Sequence, residues 1–210
     1  MNPTAYLDSI ALPIDRSADP LLLPWPSPAN PGGFRSFSTI TEWREFIFTL
    51  SLGSAIPPFV SDRYYRAQKA YFWAWVHFDF IKLGELAALA ALELALKERY
   101  AFKIRRTGRR VQFYELLKYL VEKDGLTNDK SPIVQKYGGN VVCNLYEPDE
   151  ARIAREGTPR KVLVPEAPMT LVEIRNRAAH ADPFDTAPWG GLLEVVRDLI
   201  EYAYRDIIVK

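Results

Sequence analysis

The sequence predicts an all-α fold, an up-and-down helical bundle, from three observations. Apolar residues recur at helical spacing from about residue 40 to 125 and again from 170 to the C-terminus. The strongest segment, LGELAALAALELALKERY at 83–100, consists mostly of good helix formers and is apolar almost all round, as the central helix of a bundle is. β-like runs are short and lie among the prolines and glycines of the segment 127–168. We therefore expect a bundle with a loop or short β insertion.

Composition limits the kinds of function to consider. The 210 residues are 48% hydrophobic, enough for one domain with a sizeable core. Because 27 Lys and Arg balance 26 Asp and Glu, a nucleic-acid site would have to come from local clustering of charge. One cysteine, Cys143, excludes an internal disulfide, and two histidines are too few for a zinc cluster. No cofactor is expected, and a cytoplasmic location without a membrane segment fits best.

Residues 1–39 form a proline-rich N-terminal arm that precedes the helical domain at 40–210. The arm holds seven of the sixteen prolines, which makes regular helix nearly impossible and ladder strands improbable. Its apolar residues Leu21–Leu23, Trp25 and Phe34 predict that the arm packs against the domain.

Five helical segments are predicted in the domain. The first is Ile40–Leu52, with Thr39 or Thr41 as its N-cap. A long stretch from Ser61 to about Lys103 is expected to bend or break near Gly84, because forty residues exceed a normal helix. The third helix begins at Phe113 and is stopped by Gly125. The fourth begins at Thr170 and is stopped by Pro183, and the fifth begins near Thr186 to Pro188. The insertion 127–168, before the fourth helix, has β-like runs at 140–143 and 162–164, which suggest a small hairpin.

The fourth helix carries the residues with the most specific chemistry. Its sequence, LVEIRNRAAH at 171–180, contains Arg175, Asn176 and, after three more residues, His180. This pattern resembles the R-polar-x-x-x-H motif of the HEPN (higher eukaryotes and prokaryotes nucleotide-binding) superfamily. The resemblance extends in architecture over about residues 61–125 and 169–208. It implies a helical bundle, metal-independent RNA cleavage at these three residues, and a homodimer in which two motifs face each other.

The same residues fit RNA cleavage on chemical grounds. Histidine transfers protons near neutral pH, and arginine offers a planar, permanently charged fork that matches phosphate oxygens. No metal is required, since RNA supplies its own 2′-hydroxyl nucleophile. In a regular helix Arg175 and His180 lie roughly 140° apart, so a composite site from two chains is easier to build than a self-contained one.

Further arginines are candidates for RNA binding. Arg105, Arg106, Arg109 and Arg110 surround a turn and could bind phosphates, although a solvated turn is an equal alternative. Arg177 is either an RNA contact or a solvated or dimer-pairing residue. His77 is expected to be a partly buried structural histidine, and Glu93, in the most apolar helix, is expected to pair with an arginine of the motif helix or to face solvent.

The sequence thus favours an RNA endonuclease of a defence or toxin-like system, with RNA, a second copy and an antitoxin or nucleotidyltransferase as expected partners. Two alternatives remain open. The chain could be a non-catalytic HEPN module in which the same cleft binds nucleotide or RNA, or which only docks a partner. Whichever function applies, Arg175 and His180 could instead be salt-bridged or hydrogen-bonded structural groups of the bundle. It could also be a helical dimerisation domain that associates through the aromatic residues at 64–80.

Overall fold

The helix α3 (Phe80–Ile104) lies at the centre of the structure, a computed structural model that describes residues 16–28, 30, 32–104, 109–146, 169–180 and 187–208. Over these ranges the chain is mostly helical, in agreement with the predicted all-α class, with one two-stranded sheet. The other elements, in chain order, are β1 (Leu21–Pro24), β2 (Phe34–Phe37), α1 (Ile40–Thr49), α2 (Pro58–Trp73), α4 (Phe113–Glu122), α5 (Pro132–Tyr137), α6 (Leu171–Ala179) and α7 (Leu192–Ile208).

The α3 helix is enclosed by its neighbours, as its composition predicts. It packs against α2, α7, α4 and α6, in decreasing order of contact. Ala88, Leu89, Leu92 and Leu96 have no exposed surface, so nearly every turn of α3 contributes to the core. Burial of this largely apolar segment explains why α3 reaches 25 residues.

The predicted break near Gly84 is wrong, because α2 and α3 are separated at residues 74–79 and Gly84 lies inside α3. The ring of Tyr71, on α2, occupies the space that a Cβ on Gly84 would need. Gly84 therefore permits the close approach of two helices and does not interrupt one. The start of α2 also differs from the predicted Ser61, because Pro58 occupies the first helical turn, where its missing N–H costs nothing.

The N-terminal arm contains the sheet that the sequence analysis judged improbable. β1 and β2 pair antiparallel, with Leu21 opposite Phe37 and Leu23 opposite Arg35. The prediction failed because the prolines stand at the end of β1 and in the connecting turn, where they remove no ladder hydrogen bond that a two-stranded sheet needs. Docking of the arm is confirmed for Leu21, Leu23 and Trp25, which join the helical core.

Two further details of the arm bear on its docking. The predicted contact of Phe34 with the helical domain is wrong, since 67% of its surface is exposed. The indole Nε1 of Trp25 donates a hydrogen bond to the buried Glu194 carboxylate at 3.2 Å, and its ring meets Phe46 edge-on at 4.9 Å between centroids. Within the described part of the arm, Leu21, Leu23, Trp25 and Phe37 thus belong to the core.

The insertion is more helical than predicted over the part that the structure describes. Residues 132–137 form α5, and the β-like run at 140–143 leads into a 3₁₀ turn, Val142–Asn144, so a strand there is a wrong prediction. The backbone N–H of Ile133 donates to the buried Asp198 carboxylate at 2.9 Å, which anchors α5 on α7. The run at 162–164 lies outside the described residues. Among the described helices, none has the length and apolar composition to cross a bilayer.

Candidate functional site

The motif helix α6 begins with a capping box. The Thr170 hydroxyl accepts a hydrogen bond from the Glu173 N–H at 3.3 Å, and the Glu173 carboxylate accepts one from the Thr170 N–H at 2.8 Å. Leu171 and Ile174 are buried and fix α6 against the core. The remaining positions, from Arg175 onward, are partly or fully exposed, which leaves the motif accessible.

Arg175 is held by a carboxylate of the central helix. Its Nε and Nη2 donate to the same Glu93 oxygen at 3.2 and 2.9 Å, and its Nη1 donates to the Asn176 side-chain oxygen at 3.2 Å. The Arg175 side chain is 32% exposed and that of Glu93 is 15% exposed. The expected pairing of Glu93 with an arginine of the motif helix is therefore confirmed, and Asn176 is placed beside the same guanidinium.

Lys97, one turn further along α3, completes this charge cluster. Its ammonium lies 2.6 Å from the other Glu93 oxygen. Burial alone would raise the pKa of Glu93, but the hydrogen bonds and charges of Lys97 and Arg175 outweigh burial and hold that pKa below its usual range. Glu93 therefore stays ionised at neutral pH and gives Arg175 a permanent anionic partner. Lys97 was not among the predicted site residues, although its i+4 spacing from Glu93 is the usual pattern for such a pair.

His180 stands at the end of α6. Its backbone N–H donates to the Asn176 and Arg177 carbonyls, its φ and ψ of −102° and 11° mark the cap position, and its side chain is exposed. The helix ends at Ala179, short of the predicted end at Pro183, which lies outside the described residues. The separation of roughly 140° between Arg175 and His180 assumes a regular helix. Because α6 ends at Ala179, that angle does not apply to His180, which starts the next segment of chain.

Residues 187–189, the first described after the motif, contact α3. The Lys82 ammonium donates to the Ala187 carbonyl at 3.1 Å, and the Trp189 N–H donates to Glu85. Lys82 precedes Glu93 by eleven residues, which places the two on nearly the same side of α3. The α3 face from Lys82 to Glu93 therefore contacts both the motif helix and residues 187–189. The last helix begins at Leu192, later than the predicted start near Pro188.

The other predicted RNA-binding arginines are Arg177 on the motif helix and those of the basic turn, of which the structure describes Arg109 and Arg110. Arg109 and Arg110 are exposed just before α4 and, in the part of the chain that the structure describes, form no hydrogen bond or ion pair with the motif residues. Arg105 and Arg106 lie outside the described residues. Arg177 is exposed on α6. The structure thus brings together Arg175, Asn176 and Glu93, and among the described residues it does not join Arg109 or Arg110 to them.

Two kinds of observation bear on the class of site. Among the described residues, no group of three or more histidine, cysteine, aspartate or glutamate side chains is arranged to hold a metal ion. Compared with protein-family models, with curated proteins and with solved structures, the chain has no significant match. The candidate function therefore rests on the residues of the motif and their contacts.

Proposed function

We propose that the protein is a metal-independent RNA endonuclease of HEPN type, with Arg175, Asn176 and His180 as its catalytic residues. The observation that carries the proposal is the exposed end of α6, where His180 and the guanidinium of Arg175 occur within two turns of the same helix. A proton-transfer group and a fixed cation are the two components that cleavage of RNA by its own 2′-hydroxyl needs.

The proposed chemistry proceeds by an internal attack. The 2′-oxygen attacks the adjacent phosphorus as its proton leaves to a base, and the bond to the 5′-oxygen breaks as that oxygen takes a proton. The products are a 2′,3′-cyclic phosphate and a 5′-hydroxyl. His180 transfers protons, and Arg175 stabilises the charge on the phosphorane-like oxygens. Arg175 keeps unused N–H groups on both terminal nitrogens for this purpose, because a guanidinium has five donors.

In this proposal Glu93 is a positioning residue, and the catalytic Asn176 also contacts the Arg175 guanidinium. The two bonds to Glu93 fix the plane of the guanidinium, and the Asn176 amide holds its outer nitrogen. A fixed cation costs less reorganisation in the transition state than a mobile one. The proposed active form is a homodimer with two facing motifs, in a defence or toxin-like setting with an antitoxin or nucleotidyltransferase as possible partner. The basic turn with Arg109 and Arg110 would add contacts to RNA phosphates.

One observation favours a second candidate function. Arg175 is already paired with Glu93, as an arginine with a purely structural role is. In that case the chain would be a non-catalytic HEPN-like module that binds RNA or nucleotide, or docks a partner, at the same exposed end of α6.

Cleavage in EDTA distinguishes the two candidates. Purified protein is incubated with single-stranded RNA and with DNA of the same sequence in the presence of EDTA. The nuclease is expected to cut RNA only, because DNA lacks the 2′-hydroxyl, and to leave 2′,3′-cyclic phosphate ends. Binding of RNA without cleavage would support the non-catalytic module, and cleavage of both nucleic acids would contradict the proposed chemistry.

A further inference from the structure

The outer face of α2 carries aromatic and basic side chains in alternation. Its exposed residues include three aromatic rings, of which Phe59 is 48%, Tyr65 42% and Trp73 51% exposed. Three cations share the face with them, Arg63, Arg66 and Lys69, all exposed. We call these six residues the α2 face. Asp62 lies on the same side of α2, so the three cations and this one carboxylate carry a net charge of +2.

The spacing places rings and cations in one stripe. Phe59, Arg66 and Trp73 follow one another at intervals of seven residues, which brings them within about 40° of each other around the helix axis. Successive members are about 10 Å apart along the axis. The stripe is therefore an aromatic ring, a cation and a second ring, with Lys69 and Tyr65 beside it.

The cations of the α2 face are available to a ligand. Across the described parts of the chain, Arg63, Arg66 and Lys69 form no ion pair or side-chain hydrogen bond. By contrast, basic residues near the core such as Arg175, Arg197 and Arg205 each contact a carboxylate. The α2 face therefore presents, within the described residues, unpaired cations beside exposed aromatic rings.

The α2 face lies away from the motif helix. α2 packs against α3 where Tyr71 meets Gly84, whereas α6 contacts α3 at Glu93. Gly84 and Glu93 are nine residues apart, which places them on opposite sides of α3. The outer face of α2 is therefore a surface separate from the Arg175 and His180 site.

We propose that the α2 face binds single-stranded nucleic acid. Phe59 and Trp73 stack on unpaired bases, and Arg66 and Lys69 between them bind the phosphates of the connecting backbone. Aromatic rings alternating with cations are how proteins hold single strands without sequence preference. A membrane surface fits less well, because interfacial helices need a continuous apolar stripe and here cations separate the rings.

Fluorescence anisotropy with a labelled oligothymidylate of about 15 nucleotides tests the proposal. The oligothymidylate has no 2′-hydroxyl, so the result is independent of the proposed nuclease. Phe59→Ala and Trp73→Ala are each expected to weaken binding about tenfold. Replacing Arg63, Arg66 and Lys69 together by glutamine should weaken binding and lower the slope of log affinity against log salt by about 2.

Matched controls are available on the same molecule. Phe34→Ala removes an even more exposed ring from β2, and Lys123→Gln removes an exposed cation after α4. Both should leave affinity unchanged, whereas Lys69→Gln alone should weaken binding. Far-UV circular dichroism and thermal unfolding check that every variant is folded.

Three results would overturn the proposal. One is equal loss of affinity in the controls and in the α2 variants. Another is equal affinity for the oligothymidylate and for an abasic strand of the same length, since stacking needs bases. The third is absence of nucleic-acid binding together with binding to phosphatidylglycerol vesicles, because the surface would then serve a membrane. Absence of nucleic-acid binding together with concentration-dependent self-association that Trp73→Ala removes counts equally, because the surface would then bind a second copy.

Discussion

Glu93 accepts two hydrogen bonds from Arg175 through a single carboxylate oxygen and keeps its second oxygen for Lys97. The pair joins the motif helix to the central helix, and its two residues, Arg175 and Glu93, are 82 positions apart in sequence. Since Lys97 supplies part of the neutralising charge, the Arg175 guanidinium is not fully neutralised by Glu93. It can therefore attract an anion while its position is fixed.

The first prediction concerns the ionisation of Glu93. Glu93→Gln should lower the free energy of unfolding by about 1 to 2 kcal/mol at pH 7, because the charged hydrogen bonds to Arg175 and Lys97 are lost. The folded pKa of Glu93 lies below its ordinary value of 4.5. The carboxylate therefore stabilises the folded state fully above about 4.5 and loses that contribution as pH falls through the folded pKa.

Urea unfolding as a function of pH measures this contribution. The difference between wild type and Glu93→Gln should be constant near neutrality and shrink as the pH falls below about 4.5. Glu45→Gln, at an exposed carboxylate of α1, is the control and should unfold like the wild type at each pH. A difference that is independent of pH would show that Glu93 contributes through packing and not through charge.

The second prediction separates chemistry from folding at the motif. His180→Ala should abolish RNA cleavage while helical content is kept, because the exposed imidazole at the end of α6 contributes little to the core. Arg175→Ala should reduce the cleavage rate by about 10²-fold or more, as loss of a charge-stabilising donor does. Arg175→Lys should recover only part, because an ammonium lacks the planar fork.

Cleavage rates and circular dichroism on the same samples decide between the roles. If His180→Ala cuts RNA as fast as the wild type, His180 has no part in the chemistry. If both alanine variants unfold, the two residues belong to the framework of the bundle. Arg175→Ala also frees Glu93, so some loss of stability is expected there and has to be separated from the loss of rate.

Most of the helices and the docking of the arm could be predicted from the sequence, but the sheet in the arm could not. Helical periodicity is a local property, and it located α1, α3, α4, α6 and α7 to within a few residues. In the arm, Leu21 and Leu23 are buried and Leu22 is exposed, as in a strand, but three consecutive leucines show no such alternation in the sequence, and the number of prolines argued against a strand. Which prolines fall in the turn depends on the pairing of β1 with β2, and the hydrogen bond from Trp25 to Glu194 depends on contacts 169 residues apart.

The site was predictable to a similar extent. A carboxylate in the most apolar helix needs a cation, which identified Glu93 as a partner for the motif helix. The position of His180 relative to Arg175 could not be predicted, because the end of α6 at Ala179 is not marked by a helix-breaking residue. The role of Gly84 was missed for another reason, since local sequence cannot distinguish a glycine that ends a helix from one that admits a neighbouring ring.

The third prediction tests that role of Gly84. Glycine to alanine inside a helix normally stabilises by about 1 kcal/mol. At Gly84 the new Cβ would collide with the buried Tyr71 ring and approach the Ala67 carbonyl at 3.3 Å, so Gly84→Ala should instead destabilise by about 1 to 3 kcal/mol. The sign of the change in unfolding free energy, measured with urea, distinguishes the two expectations.

A second glycine provides the comparison. A Cβ on Gly53 would meet its nearest neighbour, Glu201 Oε1, at 3.7 Å, which is ordinary contact. Gly53→Ala should therefore change the unfolding free energy by no more than about 0.5 kcal/mol. A stabilised Gly84→Ala variant would mean that Tyr71 moves aside at low cost and that α2 does not depend on a glycine in α3.

The fourth prediction tests whether the proposed catalytic site is composite. If each site takes Arg175 from one chain and His180 from the other, then mixing the inactive variants Arg175→Ala and His180→Ala should restore cleavage. Half of the exchanged dimers are mixed, and one of the two sites in each is complete, so activity should reach about a quarter of the wild-type value. The measurement is the RNA cleavage rate after the mixed variants have been allowed to exchange subunits.

Mixing Arg175→Ala with the double variant Arg175→Ala/His180→Ala is the control, since no pairing of those chains contains an arginine at position 175. That mixture should remain inactive after the same exchange. A self-contained site would leave the first mixture inactive as well, although both single variants would still be folded and dimeric. Light scattering that shows only monomers at high micromolar concentration would exclude the composite site independently. If one chain were to cleave RNA with its own His180 and Arg175, the segment after Ala179 would have to bring the imidazole back towards the guanidinium.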